Sequence, residues 1–516
     1  MHRIPIFFRL FVSFVSNAAL FLACVLFLCF VSLPLTAQTN PPNVDWNKVH
    51  TTTMEAINSL YNLRYQEAEQ RCNEVITMAP ADPRGHFVKG MTYFYKYRLQ
   101  QNKSDYNRFM QLQQNTISVC ENILKSAPND SKALFYLGGS YGYRGICRFF
   151  NAEERMKTIT QSLWDGKKGY DYLNDAVKAD PNNADAQMGF GLFNCLVAQA
   201  PAVIKPAIKL AGFTTDRNLG LKQLENAAVN GIYTRAEAQY WLSTFYQEME
   251  ETAPRALYHL KNLSAQYPQN YFYKLVSGQI LMNVVRKPDE AATYFQAVLQ
   301  MPDKAAQSRG NLLLGACMMY RLKFAESNQY LQKCIALAAD SSNMRNSLYL
   351  QGLMQDMDGN HAQATQFYQK ALPYKAAADL LQKPLSPEQA AARRVSVSFR
   401  GAEYAETVRL AEELLKKQLN DDVRGQTLYL CGRALVELGK PAEAEQRFLQ
   451  ALQAKPQEEK WITPSSHLRL AQVQAKSGKK TEAKQNLEYA LAYKDYDDED
   501  TVRRQAQREM ARLGKQ

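Results

Sequence analysis

Apolar residues recur along this chain at the alternating steps of three and four that line one face of a helix. The run from Arg424 to Pro456 is the clearest case. A first helix carries Leu430, Gly432 and Leu435, and a turn follows at Gly439 and Lys440. A second helix carries Ala444, Phe448, Ala451 and Leu452 before Pro456 stops it. Gly432 and Ala444 are small enough to let paired helices approach closely, and Phe448 fills the gap between them. Polar residues take the remaining faces, so each helix has one stripe to bury and one to solvate.

The same marks recur in both directions. A first-helix Gly returns at Gly90, Gly138, Gly191, Gly278, Gly315 and Gly352. A small residue opens the second helix at Ala68, Gly169, Gly220, Ala256, Ala291, Ala364 and Ala483, with large partners such as Leu173, Leu224, Leu260, Phe295, Tyr368 and Leu487. Pro80, Pro128, Pro181, Pro268 and Pro302 close units where helix cannot continue. Small–large–small at a period of about 34 residues resembles the tetratricopeptide repeat. The resemblance implies an all-α fold, a right-handed α-α superhelix of about eleven helical hairpins. An irregular half spans 49–233 and a regular array 234–495, and 496–516 reads as a capping helix with acids leading and bases trailing. Only the stretch Pro373–Glu388 interrupts the later pattern, as a bend or loop. Such a scaffold binds another chain by default, so a protein or peptide partner is expected.

Residues 1–37 stand apart. Arg3 and Arg9 precede an apolar stretch from Leu10 to Leu35, then Thr36, Ala37 and Gln38. This reads as a signal peptide cleaved after Ala37, followed by a linker at 38–48. The stretch exceeds the roughly 7–15 residues of a signal core, which leaves an uncleaved anchor as the alternative. The ending LPLTAQ resembles export signals of Gram-negative bacteria, implying a periplasmic or envelope-associated destination.

Charge and cysteines narrow the classes further. Removing Arg3 and Arg9 takes the net charge from +12 to +10, with bases scattered among acids. Export and the lack of a basic block argue against nucleic acid and leave weak attraction to a membrane surface. Beyond the leader stand Cys72, Cys120, Cys147, Cys195, Cys317, Cys334 and Cys431, an odd number that argues against a disulfide framework. Most fall on apolar helix faces as small core residues; Cys147 and Cys195 lie outside that scheme and stay open to reaction or pairing.

No catalytic, cofactor or metal residue is expected. Gly138-Gly139-Ser140-Tyr141-Gly142 matches the spacing of a hydrolase nucleophile elbow, but that chemistry needs a preceding strand. Here Gly138 and Tyr141 fill the helix slots of Gly90 and Tyr93. The six histidines are isolated, so no metal ligand set is visible.

The expected binding surface is the inner wall formed by first helices. Projection places Phe87, Met91, Phe94, Phe135, Tyr143, Met188 and Leu192 there in the N-terminal half. Leu275, Met282, Leu312, Met319, Tyr349 and Leu353 continue it. A wall this apolar suits a helix or an apolar or lipid ligand; the bland alternative is that the chain fills its own groove. The filler would be an apolar insertion at 196–219 carrying Ile204 and Phe213, folded back against Phe135, Met188 and Leu192, with Asp216 capping the next helix. In and around it, Gly191-Leu192-Phe193-Asn194, the Pro-rich stretch, Gly212-Phe213-Thr214-Thr215-Asp216-Arg217 and Gly220-Leu221 resemble the Iml2 and tetratricopeptide-39 family, loosely from Thr51 to Met354. The resemblance implies an apolar or lipid-linked ligand and carries over no catalytic residue. A carrier or sensor of an apolar molecule therefore stands beside the protein-binding scaffold.

Cleavage after Ala37 predicts an intact mass that starts at Gln38 in exported protein. A mass retaining residues 1–37 would instead identify an anchor.

Overall fold

The computed structural model describes residues 44–100, 102–151, 155–198, 216–247, 251–337 and 341–514. Residues from Asp45 onward form one compact unit. The first four hairpins pair α1 (Trp46–Tyr61) with α2 (Tyr65–Met78), α3 (Pro83–Gln100) with α4 (Lys103–Ser126), α5 (Ser131–Phe150) with α6 (Arg155–Ala179), and α7 (Ala184–Ala198) with α8 (Arg217–Asn230). The next four pair α9 (Arg235–Tyr246) with α10 (Ala253–Gln266), α11 (Tyr271–Asn283) with α12 (Pro288–Leu299), α13 (Lys304–Tyr320) with α14 (Phe324–Leu337), and α15 (Ser341–Met357) with α16 (His361–Ala371). A short α17 (Lys375–Gln382) occupies the interruption read near Pro373. Then come α18 (Pro387–Arg400) with α19 (Tyr404–Leu415), α20 (Asp421–Glu437) with α21 (Pro441–Gln453), and α22 (Ile462–Lys476) with α23 (Lys480–Ala492). A last helix, α24 (Glu499–Leu513), covers the end of the array. Eleven hairpins and two single helices make an α-α solenoid without strands among the described residues.

Caps and turns fall where the polar punctuation stands. The Asp45 carboxylate accepts from Lys48 N at 3.1 Å, so α1 starts at Trp46, inside the stretch read as linker. Asp216 accepts from Asn218 N at 2.8 Å and Leu219 N at 3.1 Å, capping α8 as its position implies. In seven hairpins a residue in the left-handed region reverses the chain between the two helices: Leu63, Arg286, Leu322, Gly359, Ala402, Gly439 and Gly478. Only some of these are Gly, so packing of the pair holds the others in a conformation that costs an L-residue roughly 1–2 kcal/mol.

The slot pattern is physical contact. A Cβ on Gly432 would stand 2.7 Å from Phe448 Cε1, on Gly352 2.4 Å from Tyr368 Cε1, and on Gly315 2.5 Å from Leu331 Cδ2. In α7, Gly191 would meet the Gly220 carbonyl at 2.8 Å. Ala444, Phe448 and Ala451 are fully buried, as are all seven cysteines, none of which forms a disulfide. Burial pushes the Cys147 thiol up to about 12, far from a reactive thiolate. Ser140 lies mid-helix in α5, fully buried.

Two glycines test this account. A Cβ on Gly278 would fall 2.3 Å from Phe295 Cε1, whereas a Cβ on Gly142 meets nothing within 4 Å. Gly278→Ala should destabilise by about 1–3 kcal/mol. Gly142→Ala should stabilise by about 0.5–1 kcal/mol through helix propensity. Equal effects in thermal melts would refute the slot reading.

Candidate functional site

Three first helices carry a tyrosine in one register: Tyr61, Tyr95 and Tyr143 each stand five residues after Ala56, Gly90 and Gly138. Curvature of the array brings those positions together at the fifth hairpin. Glu237, in the first turn of α9, receives them all. Tyr61 donates to Oε2 at 2.7 Å, Tyr95 also donates to Oε2, and Tyr143 donates to Oε1 at 2.6 Å. The Trp241 indole N–H completes the set, donating to Oε1 at 2.9 Å. Glu237 is 4% exposed, and its two oxygens thus take four donors, the capacity of a carboxylate. Burial, then the Glu237 charge, hold the Tyr61, Tyr95 and Tyr143 hydroxyls well above the ordinary tyrosine range, so they stay protonated as donors.

A second set of contacts closes the same turn at its rim. Asp82 holds Arg84 in a two-pronged pair, Nε to Oδ1 at 2.9 Å and Nη2 to Oδ2 at 3.0 Å, and also bonds Lys132. Burial works against the Asp82 charge, but the Arg84 and Lys132 bonds outweigh it and lower its pKa. Arg84 Nη1 then donates to Tyr233 Oη at 3.0 Å, which His50 Nδ1 meets at 2.7 Å, while Trp46 lies under the Arg84 guanidinium. Asp185 Oδ1 gathers the backbone N–H groups of Ile232, Tyr233 and Thr234 at 2.9–3.0 Å. Asn270 Nδ2 donates to the Tyr61 carbonyl at 2.8 Å, and Arg309 reaches the Leu99 carbonyl at 3.3 Å. The first two hairpins are thereby tied to the fifth, sixth and seventh.

The expected wall residues fall inside this closure. Phe87, Met91, Phe94, Phe135 and Tyr143 are buried in one cluster with Leu60, Phe109 and Leu137. Met188 and Leu192 are buried in another with Ile57, Tyr61, Trp241 and Phe245. Ile204 and Phe213, and with them the expected filler, lie outside the described residues. Glu237, Tyr61, Tyr95 and Trp241 were missed by projection onto the wall. The shared tyrosine register was the signal that could have found three of the four donors.

Beside Glu237 a cavity of 120 Å³ remains, walled by Phe94, Tyr95, Tyr240, Trp241, Phe272 and Tyr273. Arg98 and Arg309 border it, Arg98 exposed and Arg309 half-buried. Farther along, the wall changes character. The slots that hold Phe87 and Met91 in α3 hold Tyr429 and Arg433 in α20. Arg433 lies over the Phe399 ring at 4.7 Å and over Tyr429 at 5.9 Å. Burial alone would raise the Tyr429 hydroxyl, but the Arg433 and Arg469 guanidinium groups facing it bring it below the usual value. No group of His, Cys, Asp and Glu suited to a metal occurs among the described residues. No described helix is long and apolar enough to cross a membrane.

The sequence matches the family described as Iml2/Tetratricopeptide repeat protein 39 over residues 106–412, more than half of the chain. That match starts later and runs further than the Thr51–Met354 span carried by the quoted motifs, and takes in α18 and most of α19. No curated protein matches the chain. Among solved structures, the APC/C hetero-tetramer Cut9-Hcn1 is 13% identical, with 90% of this chain and 96% of that chain covered and a TM-score of 0.28. Yeast Tom70 is 12% identical, covering 91% and 96%, with a TM-score of 0.27. The human IFIT1 dimer with PPP-AAAA is 15% identical, covering 80% and 96%, with a TM-score of 0.30.

Hydrogen bonds to a charged group contribute roughly 1.5–3 kcal/mol, so Tyr143→Phe should cost about that much. Glu237→Ala, which strands four neutral donors, should cost more, at about 1–3 kcal/mol for each donor left unpaired. The raised tyrosine pKa values give stability that is complete below the unfolded value of about 10 and is lost as pH rises beyond it. Melting temperature should therefore fall above about pH 10, and less steeply in Tyr143→Phe than in the parent. Parallel curves would count against the carboxylate hub.

Proposed function

We propose, for a chain that belongs to the Iml2/Tetratricopeptide repeat protein 39 family, an exported scaffold that holds a protein or peptide partner in the cell envelope. The observation that carries this is the contrast between the two halves of the wall. The first half spends its inner side chains on itself, around Glu237. Later hairpins also bury Leu275, Met282, Leu312, Met319 and Leu353, but beside them carry Tyr349, Arg393, Arg433, Arg469 and Trp461, all half-buried or exposed. Arginine stacked on aromatic rings is the composition of protein-binding hot spots, and it favours a partner segment bearing acidic and aromatic groups. Export rests on Arg3, Arg9 and the apolar run to Leu35, and the periplasm is the destination that such a leader supports.

The apolar-carrier alternative draws on the cavity beside Glu237. Its 120 Å³ falls short of the roughly 300–1,000 Å³ that encloses a drug-sized ligand, so a buried acyl chain is disfavoured.

Cross-linking of tagged protein in intact envelopes should yield one defined partner, lost in Arg433→Glu and Arg469→Glu and kept in the exposed control Lys375→Glu. Capture that is indifferent to Arg433 and Arg469 would sink the reading, as would stoichiometric lipid in purified protein with no protein partner.

A further inference from the structure

The cavity beside Glu237 has an unusual chemical balance. Its aromatic walls adjoin closely, with Tyr240 centred 5.6 Å from Trp241, 6.1 Å from Phe272 and 6.4 Å from Tyr273. Glu237 supplies a negative charge, and its hydrogen-bond partners are all neutral hydroxyl or indole donors. Aromatic faces with a nearby carboxylate attract a cation. Both carboxylate oxygens already have two donors, so no lone pair remains for an incoming N–H. A primary ammonium or guanidinium would enter with its donors unmet, which is costly in a buried site. A quaternary, trimethylated ammonium has no N–H donors to satisfy and gains from the ring faces and the charge alone.

The border adds the second half of the ligand. Arg98 and Arg309 line the same cavity, and Arg98 reaches the Tyr240 hydroxyl. Two guanidinium groups repel a simple cation and suit a carboxylate or phosphate. At about 30 Å³ for each water in the liquid, 120 Å³ encloses on the order of four water-sized groups, the size of a trimethylammonium head, and leaves the anion at the border.

We infer that this cavity binds a small zwitterion that joins a methylated ammonium to an anionic group. The ammonium sits against Tyr240, Trp241 and Phe272 in the field of Glu237, and the anion faces Arg98 and Arg309. The source of that chemistry is either a free betaine-type solute or the phosphocholine headgroup of a lipid. The site is independent of the protein-binding wall around Arg433.

Calorimetric titration of the mature chain with glycine betaine, phosphocholine, phosphoethanolamine and tetramethylammonium tests this. Glycine betaine or phosphocholine should bind, with phosphoethanolamine and tetramethylammonium at least about tenfold weaker. Phe272→Ala and the exposed Arg98→Gln, neither of which is itself a Glu237 donor, should each weaken binding by about tenfold while the circular dichroism melt is retained. Flotation with phosphatidylcholine vesicles, against phosphatidylethanolamine vesicles, then separates the sources: co-flotation assigns a lipid headgroup, and binding of the free zwitterion alone assigns a solute. Equal affinity for phosphoethanolamine and phosphocholine overturns the proposal. So does the absence of heat with both methylated zwitterions, or a folded Phe272→Ala variant that binds as the parent does.

Discussion

The N-terminal half of this array turns on one buried carboxylate. Placing Glu237 out of water costs several kcal/mol. Three tyrosines and an indole repay that cost only when the hairpins carrying them stand around it together. An ordinary solenoid is held by contacts between neighbours alone, and its stability is close to a sum of local terms. Here Tyr61, Tyr95 and Tyr143 reach across 176, 142 and 94 residues of sequence to the same group. Such links couple the first hairpin to the fifth, so the early units must order cooperatively and with slower, less local folding than the regular hairpins that follow.

The rim contacts extend the same constraint. Asp82, Arg84 and Tyr233 place charged and polar groups where the first and fifth hairpins approach, and Trp46 covers the guanidinium from the outside. Buried charge of this kind adds little net stability, because desolvation cancels much of the attraction. Its geometric demand is strict, however: the fork to Asp82 fixes the Arg84 guanidinium, and its remaining Nη1–H meets Tyr233 in one relative placement of α3 and the loop before α9. Register, more than strength, is what these groups supply.

Closure at one end leaves the wall of the later hairpins with different work. The repeat gives every first helix the same inward slots, and their residents decide whether a neighbour or a partner covers them. Phe87, Phe135 and Met188 are consumed by the chain's own helices. Tyr429 fills the same slot and is buried too, while Arg433, one turn on, stays half-buried across its ring. The cavity at Glu237 lies beside this closure and is too small for a chain segment.

What could be read from sequence alone was set by contacts within one hairpin. Gly432 against Phe448, Asp216 at the start of α8, Ser140 inside α5 and the number of hairpins all follow from residues a few turns apart. Periodicity also assigned Phe87, Met188 and Tyr143 to an inner face, because a helical period specifies direction. It does not specify distance. Whether that face meets solvent, a partner or another hairpin depends on the small twist between successive units, summed over five of them. That sum is invisible in any one repeat, which is why Glu237 looked like an ordinary helix-opening acid. The shared register of Tyr61, Tyr95 and Tyr143 carried half of the information; only the tertiary structure supplied the carboxylate on which they converge.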